Sequence, residues 1–128
     1  FSPKALNRII SSNANGWVGI PQLDLGAFKV GQEQLRKTAK EQGRDPNTLE
    51  FPVLLFPEVS EVDLGTDRQP MNGSIAQIAQ DIQEFEKLGV THVNLVFDFG
   101  SVANDLKKRL EYAKQIKDAI IPSVLATY

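Results

Sequence analysis

Ser2, followed at once by Pro3, is the first residue placed to do chemistry. A serine before a proline reads as a helix N-cap. Its side chain accepts a free backbone N–H, and proline suits the first helical position, where an N–H would go unpaired anyway. Such a start also leaves outward N–H groups beside a hydroxyl, which is the donor set of an anion or phosphate site. Ser2 therefore has two readings, a plain cap or an anion ligand. Arg68 is the second candidate. It shares a polar stretch with Glu58, Glu61, Asp63 and Asp67, and either meets a phosphate or acidic substrate or is the compensating cation of a solvated loop. His92, the single histidine, is the one side chain suited to general acid–base work near neutral pH. It stands at a strand entry, the edge of an α/β sheet opposite the usual site. Asp98 leaves that strand on the favourable edge and serves equally as a turn residue before Ser101. With no cysteine, a thiolate nucleophile, a disulfide and a Cys-based metal site are excluded. No catalytic residue and no metal site are assigned.

The elements that must position these residues alternate. Leu6, Ile9 and Ile10 follow Pro3 at helical spacing, giving a helix that stops near 11–13. Asn15-Gly16 is a turn signal, and residues 16–20 form a short buried strand ended by Pro21. A long connection runs to Gly31. Residues 32–42 form a helix burying Leu35 and Ala39, with Gly43 just past its end. Residues 49–56 form a second strand, in which Pro52 removes a ladder hydrogen bond. After a polar stretch to Gly73, Ser74 and Gln77 form a capping box. The third helix buries Ile75, Ile78, Ala79, Ile82, Phe85 and Leu88 and ends at Gly89. Residues 90–97 are unbroken enough in Val, Leu and Phe to predict a strand buried on both faces. Ser101 caps a last helix lined by Val102, Leu106, Leu110, Ala113, Ile116 or Lys117, and Ile120, stopped by Pro122.

Alternating helices and strands predict βα units and a parallel sheet, in a single domain over 1–128 with about three strands and four helices. The helix-to-strand links are short, whereas the strand-to-helix links at 21–31 and 57–73 are long. In parallel α/β folds the latter lie on the functional edge, and Ser2, opening a helix, belongs there too. A net charge of −2 with mixed signs recruits neither nucleic acid nor a membrane surface. With no apolar run near the roughly 20 residues that span a bilayer and no signal peptide, a cytoplasmic protein is expected.

Four passages in order carry a resemblance. Ser2-Pro3-Lys4-Ala5-Leu6-Asn7-Arg8 and then Asn15-Gly16-Trp17 resemble the "Gly-Gly-x-Ser-Pro-x-Ala-Leu-x-Arg … Asp-Gly-Trp" passage of luciferase-like monooxygenases. Gly43-Arg44-Asp45-Pro46 is similar to that family's "Gly-Arg-Asp-Pro" turn. Arg68-Gln69-Pro70 with Gly73-Ser74-Ile75-Ala76-Gln77-Ile78-Ala79-Gln80-Asp81-Ile82 resembles its "Gly-Thr-Pro-Glu-Gln-Ile-Ala-Glu-Asp-Ile" segment, and Leu88-Gly89-Val90-Thr91-His92 its "Ala-Gly-Val-Asp-His" strand entry. The resemblance implies the C-terminal portion of a (β/α)₈ barrel, strands six to eight of a fold of about 250 residues. It implies an oxidoreductase or monooxygenase acting on a small organic substrate with FMN or a deazaflavin coenzyme. The loop at Phe1 and Ser2 would hold the cofactor phosphate, with Gly16, Trp17 and Arg68 as further cofactor-binding candidates. Two departures stand out: Asn15 replaces the family's Asp, and Ile75-Ala76 replaces its Pro-Glu. Supplying three strands of eight, the chain is not expected to be a complete catalyst by itself. It would self-associate or join the missing barrel half. The alternative is a non-catalytic α/β assembly or binding module.

Overall fold

The computed structural model describes residues 2–126, with side chains through residue 121. It is a mixed α/β structure with four helices and short parallel strands. Two compact units can be distinguished. The first runs from the opening helix through Leu54 and includes Gly89–Val93. The second comprises Leu55–Leu88 and the chain from Asn94 onward.

In the first unit, helix α1 (Pro3–Ser11) is capped by Ser2, whose Oγ accepts from the Ala5 N–H at 3.2 Å. It buries Leu6 and Ile10. Helix α2 (Leu25–Glu41) begins seven residues before the expected start at Gln32. Asp24 is its cap, accepting from the Ala27 N–H at 2.9 Å, and the buried set Phe28, Gly31, Gln32, Leu35, Thr38 and Ala39 has strict helical spacing. The expected long connection at 21–31 thus shrinks to the turn between Pro21 and Asp24. Gly43 follows at φ +77°, and the Arg44 N–H reaches back to the Ala39 carbonyl at 2.8 Å, closing the helix end with a residue type that tolerates the left-handed region.

The sheet core of this unit shows how one proline shapes a ladder. Strand β1 (Val53–Leu55) is shorter than the expected 49–56, and the expected strand at 16–20 is reduced to two isolated parallel bridges, Gly16↔Glu50 and Gly19↔Val53. Glu50 donates to Asn15 and Leu54 donates to Gly19, at 2.8 and 3.0 Å. Pro52 falls between them with no N–H to give, so the ladder breaks into two bridges. Its carbonyl still accepts from Gly19 at 3.0 Å. The intervening residues face the other way: Val53 donates to the His92 carbonyl and Thr91 to the Phe51 carbonyl. Strand β4 (Val93–Leu95) pairs with β1, and partners that ascend together on both strands make the pairing parallel. Phe51 and Val53 are fully buried, contributing about 2 kcal/mol each from burial. Arg36 lies over the Phe51 ring at 4.8 Å. The expectation that the third strand is buried on both faces is overturned, because Val93 is 38% exposed and Asn94 is exposed as well. Hydrophobic composition does not by itself require cover on both faces.

In the second unit, the stretch at 57–73 is not structureless. Strand β2 (Glu58–Val59) pairs in parallel with β3 (Asn72–Gly73) in the register Glu58↔Asn72. Helix α3 (Ile75–Glu86) carries the predicted capping box with both halves made: Ser74 Oγ accepts from Gln77, and Gln77 Oε1 accepts from Ser74. Ile78, Ala79, Ile82 and Phe85 are buried, while Ile75 and Leu88 are half-buried. Helix α4 (Leu106–Ala126) packs on α3, and its Ile116 is fully buried. Its cap is Asp105, which accepts from the Lys108 N–H at 3.0 Å, not Ser101. Ser101 is held in the preceding turn, where both its N–H and its hydroxyl donate to Glu58. Leu106 and Leu110, expected to be buried, are 68% and 63% exposed, and Pro122 lies inside the helix rather than ending it. Among the described residues no closed barrel forms.

Candidate functional site

The predicted ligands divide between the units: Ser2, Gly16 and Trp17 in the first, Arg68 in the second. Phe1 lies outside the described residues. Ser2 is exposed, and its hydroxyl makes one cap contact as acceptor. Its proton and the Lys4 N–H, beside the exposed Lys4 side chain, form a donor set that fits a phosphate oxygen. Gly16 works through its missing side chain. A Cβ there would sit 1.9 Å from the Glu50 carbonyl oxygen, so no other residue permits this bridge without backbone movement. The close approach positions Trp17, whose N–H donates to that same carbonyl at 3.1 Å. The indole stacks on Phe28 with ring centres 5.4 Å apart and planes 28° apart. Beside it lies a shallow hollow of about 330 Å³ lined by Ala27, Val30, Gly31 and Gln34.

Arg68 is committed to the fold. Its two terminal nitrogens meet the Asp81 carboxylate at 2.7 and 2.9 Å, a bidentate pair with each side chain 16% exposed. Nη1 also reaches the Asn72 carbonyl at 3.2 Å, and Asp81 accepts from the Met71 N–H at 2.8 Å. Three hydrogen bonds to Asp81 therefore tie Arg68 and Met71 to α3, and the fourth braces the segment internally. The hydrogen bonds it donates to Asp81 raise the Arg68 pKa above its ordinary value, against desolvation, with Asp81 and Asp63 charges adding to the rise. A raised cation pKa keeps its stabilisation whole below the unfolded-state value and loses it only as pH climbs through the folded one, so this guanidinium stays charged wherever the protein folds. Of the four neighbours expected to balance it, Asp63 contributes its charge, and Glu58 accepts from Ser101 instead. The partner is Asp81, thirteen residues on, which the capping-box helix carries to it.

Sequence reasoning missed a cleft of about 500 Å³ in the second unit, between the starts of α3 and α4. Ser60, Asp63, Ser74, Lys108 and Tyr112 are among its walls. Asp63 accepts from the Ser74 hydroxyl at 2.5 Å, and Lys108 sits 5.5 Å from the Tyr112 ring centre. The cleft presents hydroxyls and carboxylates with one ammonium. The missing signal was the position of α4, since a start at Leu106 rather than Ser101 is what brings Lys108 and Tyr112 into its first turns. His92 is exposed, with Nδ1 3.1 Å from the Thr91 hydroxyl, and Asp98 accepts from Arg109 at 2.6 Å. Among the described residues no group of three or more His, Cys, Asp or Glu could hold a metal ion, and no helix is long and apolar enough to cross a membrane.

Compared with known proteins, the chain matches no family model, no curated protein and no solved structure.

Proposed function

We propose that the chain carries the last three strand positions of a luciferase-like (β/α)₈ barrel, an oxidoreductase using FMN or a deazaflavin coenzyme on a small organic substrate. The observation that supports this best is the order of the parallel segments. Residues 16–19, β1 and β4 lie side by side in chain order, as successive barrel strands must. A second support comes from the passages that carry the resemblance. Arg68 and Asp81 belong to the same one, and they form a single bidentate pair.

When bound, the cofactor would supply the redox chemistry, and the chain would supply binding and orientation. Ser2 and the Lys4 N–H would hold a phosphate at the start of α1, where the helix dipole favours negative charge. Gly16 would fix Trp17 by its bridge to Glu50. Titration of the protein, in the longest form its coding sequence specifies, with FMN and with the deazaflavin coenzyme tests the proposal. Saturable quenching of Trp17 emission at micromolar cofactor is expected, weakened by Ser2→Ala. No binding of either cofactor would sink the reading.

One observation favours the alternative of an assembly module. Val18, Leu23 and Val30 of the first unit are 53%, 74% and 51% exposed. Where such residues join into a contiguous patch, they drive association. Sedimentation separates the two: an oligomer without cofactor affinity favours assembly, and cofactor binding favours the oxidoreductase.

A further inference from the structure

Only two asparagines precede glycine, Asn15 and Asn72. A glycine that follows asparagine has no side chain to hinder its amide nitrogen from attacking the preceding carboxamide, so both steps are chemically open to backbone-assisted deamidation. The fold treats them oppositely.

Asn72-Gly73 is enclosed. Asn72 donates its N–H to Gln69 at 3.1 Å and its carbonyl accepts from Arg68 at 3.2 Å. The parallel register Glu58↔Asn72 places the Gly73 N–H in the β2–β3 ladder, and Ser60 donates to the Gly73 carbonyl at 2.7 Å. Gly73 is buried against Gln77, and Met71 on the other side is fully buried and tied to Asp81. The attacking nitrogen and the backbone rotation it needs are both locked.

Asn15-Gly16 is open. Asn15 is exposed, and among the described residues its carboxamide has no hydrogen-bond partner. The parallel bridge here uses the Asn15 carbonyl and the Trp17 N–H, at 2.8 and 3.1 Å, so Gly16 lends it neither of its own backbone groups. The Gly16 N–H has no partner among the described residues. A lone bridge holds the step on one side, and on the other lies the turn after α1, with Asn13 at φ 60°.

We propose that Asn15 is a site of spontaneous deamidation, selected over Asn72 by the fold. The Gly16 nitrogen loses its proton and bonds to Asn15 Cγ, the Cγ–Nδ2 bond breaks, and ammonia leaves. Water then opens the succinimide at either carbonyl, giving aspartate or isoaspartate. In the isoaspartyl product the main chain runs through Cβ and Cγ, one methylene longer, and the Asn15 carbonyl that accepted from Glu50 becomes a free carboxylate. The change therefore releases the Gly16–Glu50 bridge and disturbs the stack of Trp17 on Phe28.

The test is incubation of the folded protein at mildly alkaline pH with timed peptide mapping of both asparagines. In parallel, emission of Trp17 (the single tryptophan) is followed. Asn15 should convert several-fold faster than Asn72, with isoaspartate among the products and a drift in Trp17 emission that tracks it. In denaturant the two rates should converge, because both are then plain Asn-Gly steps. Asn15→Gln should suppress ammonia release and the drift together, since glutamine cyclises far less readily. Equal rates in the folded protein, faster conversion at Asn72, or an intact Asn15 while the denatured control converts would each overturn the proposal.

Discussion

The two strand-to-helix connections that look alike in sequence, 21–31 and 57–73, come apart in the structure. The first is mostly helix. Asp24 caps α2, and Gly26 and Gly31, which read as loop residues, are carried inside it. The second stays a connection but builds its own parallel pair, β2 and β3, and is riveted to α3 by Arg68 and Asp81. Glycine and proline content marks both as breaks. What separates them is a cap with apolar residues behind it in one, and a charged residue waiting for a partner in the other. The comparison can be broken at three places, in descending order of effect.

Asp81→Ala should be the most damaging. It leaves the Arg68 guanidinium, 16% exposed, without its bidentate partner and strips the Met71 N–H of its acceptor. Met71 holds φ +67°, a region a non-glycine side chain enters only when its surroundings impose it. Removing one member of a largely buried pair costs about 3 kcal/mol. Chemical denaturation should show that loss, and hydrogen exchange should show opening confined to 57–73 and α3. A loss under about 0.5 kcal/mol, the range of ordinary surface changes, would mean the connection is held by β2–β3 alone.

Asp24→Ala should cost about 1 kcal/mol, the ordinary value of an N-cap. Circular dichroism should report fraying of the first turn of α2, with 57–73 unaffected. If Asp24→Ala matched Asp81→Ala, the contrast between a locally capped and a remotely clamped connection would fail.

How much of this was legible follows from the range of the forces. The caps at Ser2 and Ser74 and the helix ends at Gly43 and Gly89 rest on contacts within a few residues, and all were readable. Arg68 stands out in the sequence, but its pairing with Asp81 does not, because a thirteen-residue separation carries no period to read. The cap of α4 is ambiguous in sequence because Ser101 and Asp105 are both good cap residues, and the structure uses Asp105. Ser101 is diverted by Glu58, 43 residues away. Exposure was the least legible. Val93, Leu106 and Leu110 are apolar in type and open in place, and composition does not distinguish a face that is covered from one that is not. Of the candidate site, the Gly16–Trp17 step was found by motif. Its reason, a carbonyl 1.9 Å from an absent Cβ, belongs to a strand neighbour distant in sequence.

The smallest effect sharpens the comparison most directly. Gly26 is exposed within the first turn of α2, and a Cβ added there would meet nothing closer than Asp24 Oδ1 at 3.5 Å, an ordinary contact. Alanine at that position gives up less backbone freedom on folding than glycine does, so Gly26→Ala should stabilise by about 0.5 kcal/mol. The sign depends on the segment being helical from Leu25. Were 21–31 an irregular connection, as its glycines suggest, the substitution would give no such gain, and would be harmful wherever the loop used a left-handed conformation at Gly26. A rise in the denaturation midpoint with unchanged m-value would place the helix start at Leu25, whereas a fall would return the stretch to loop.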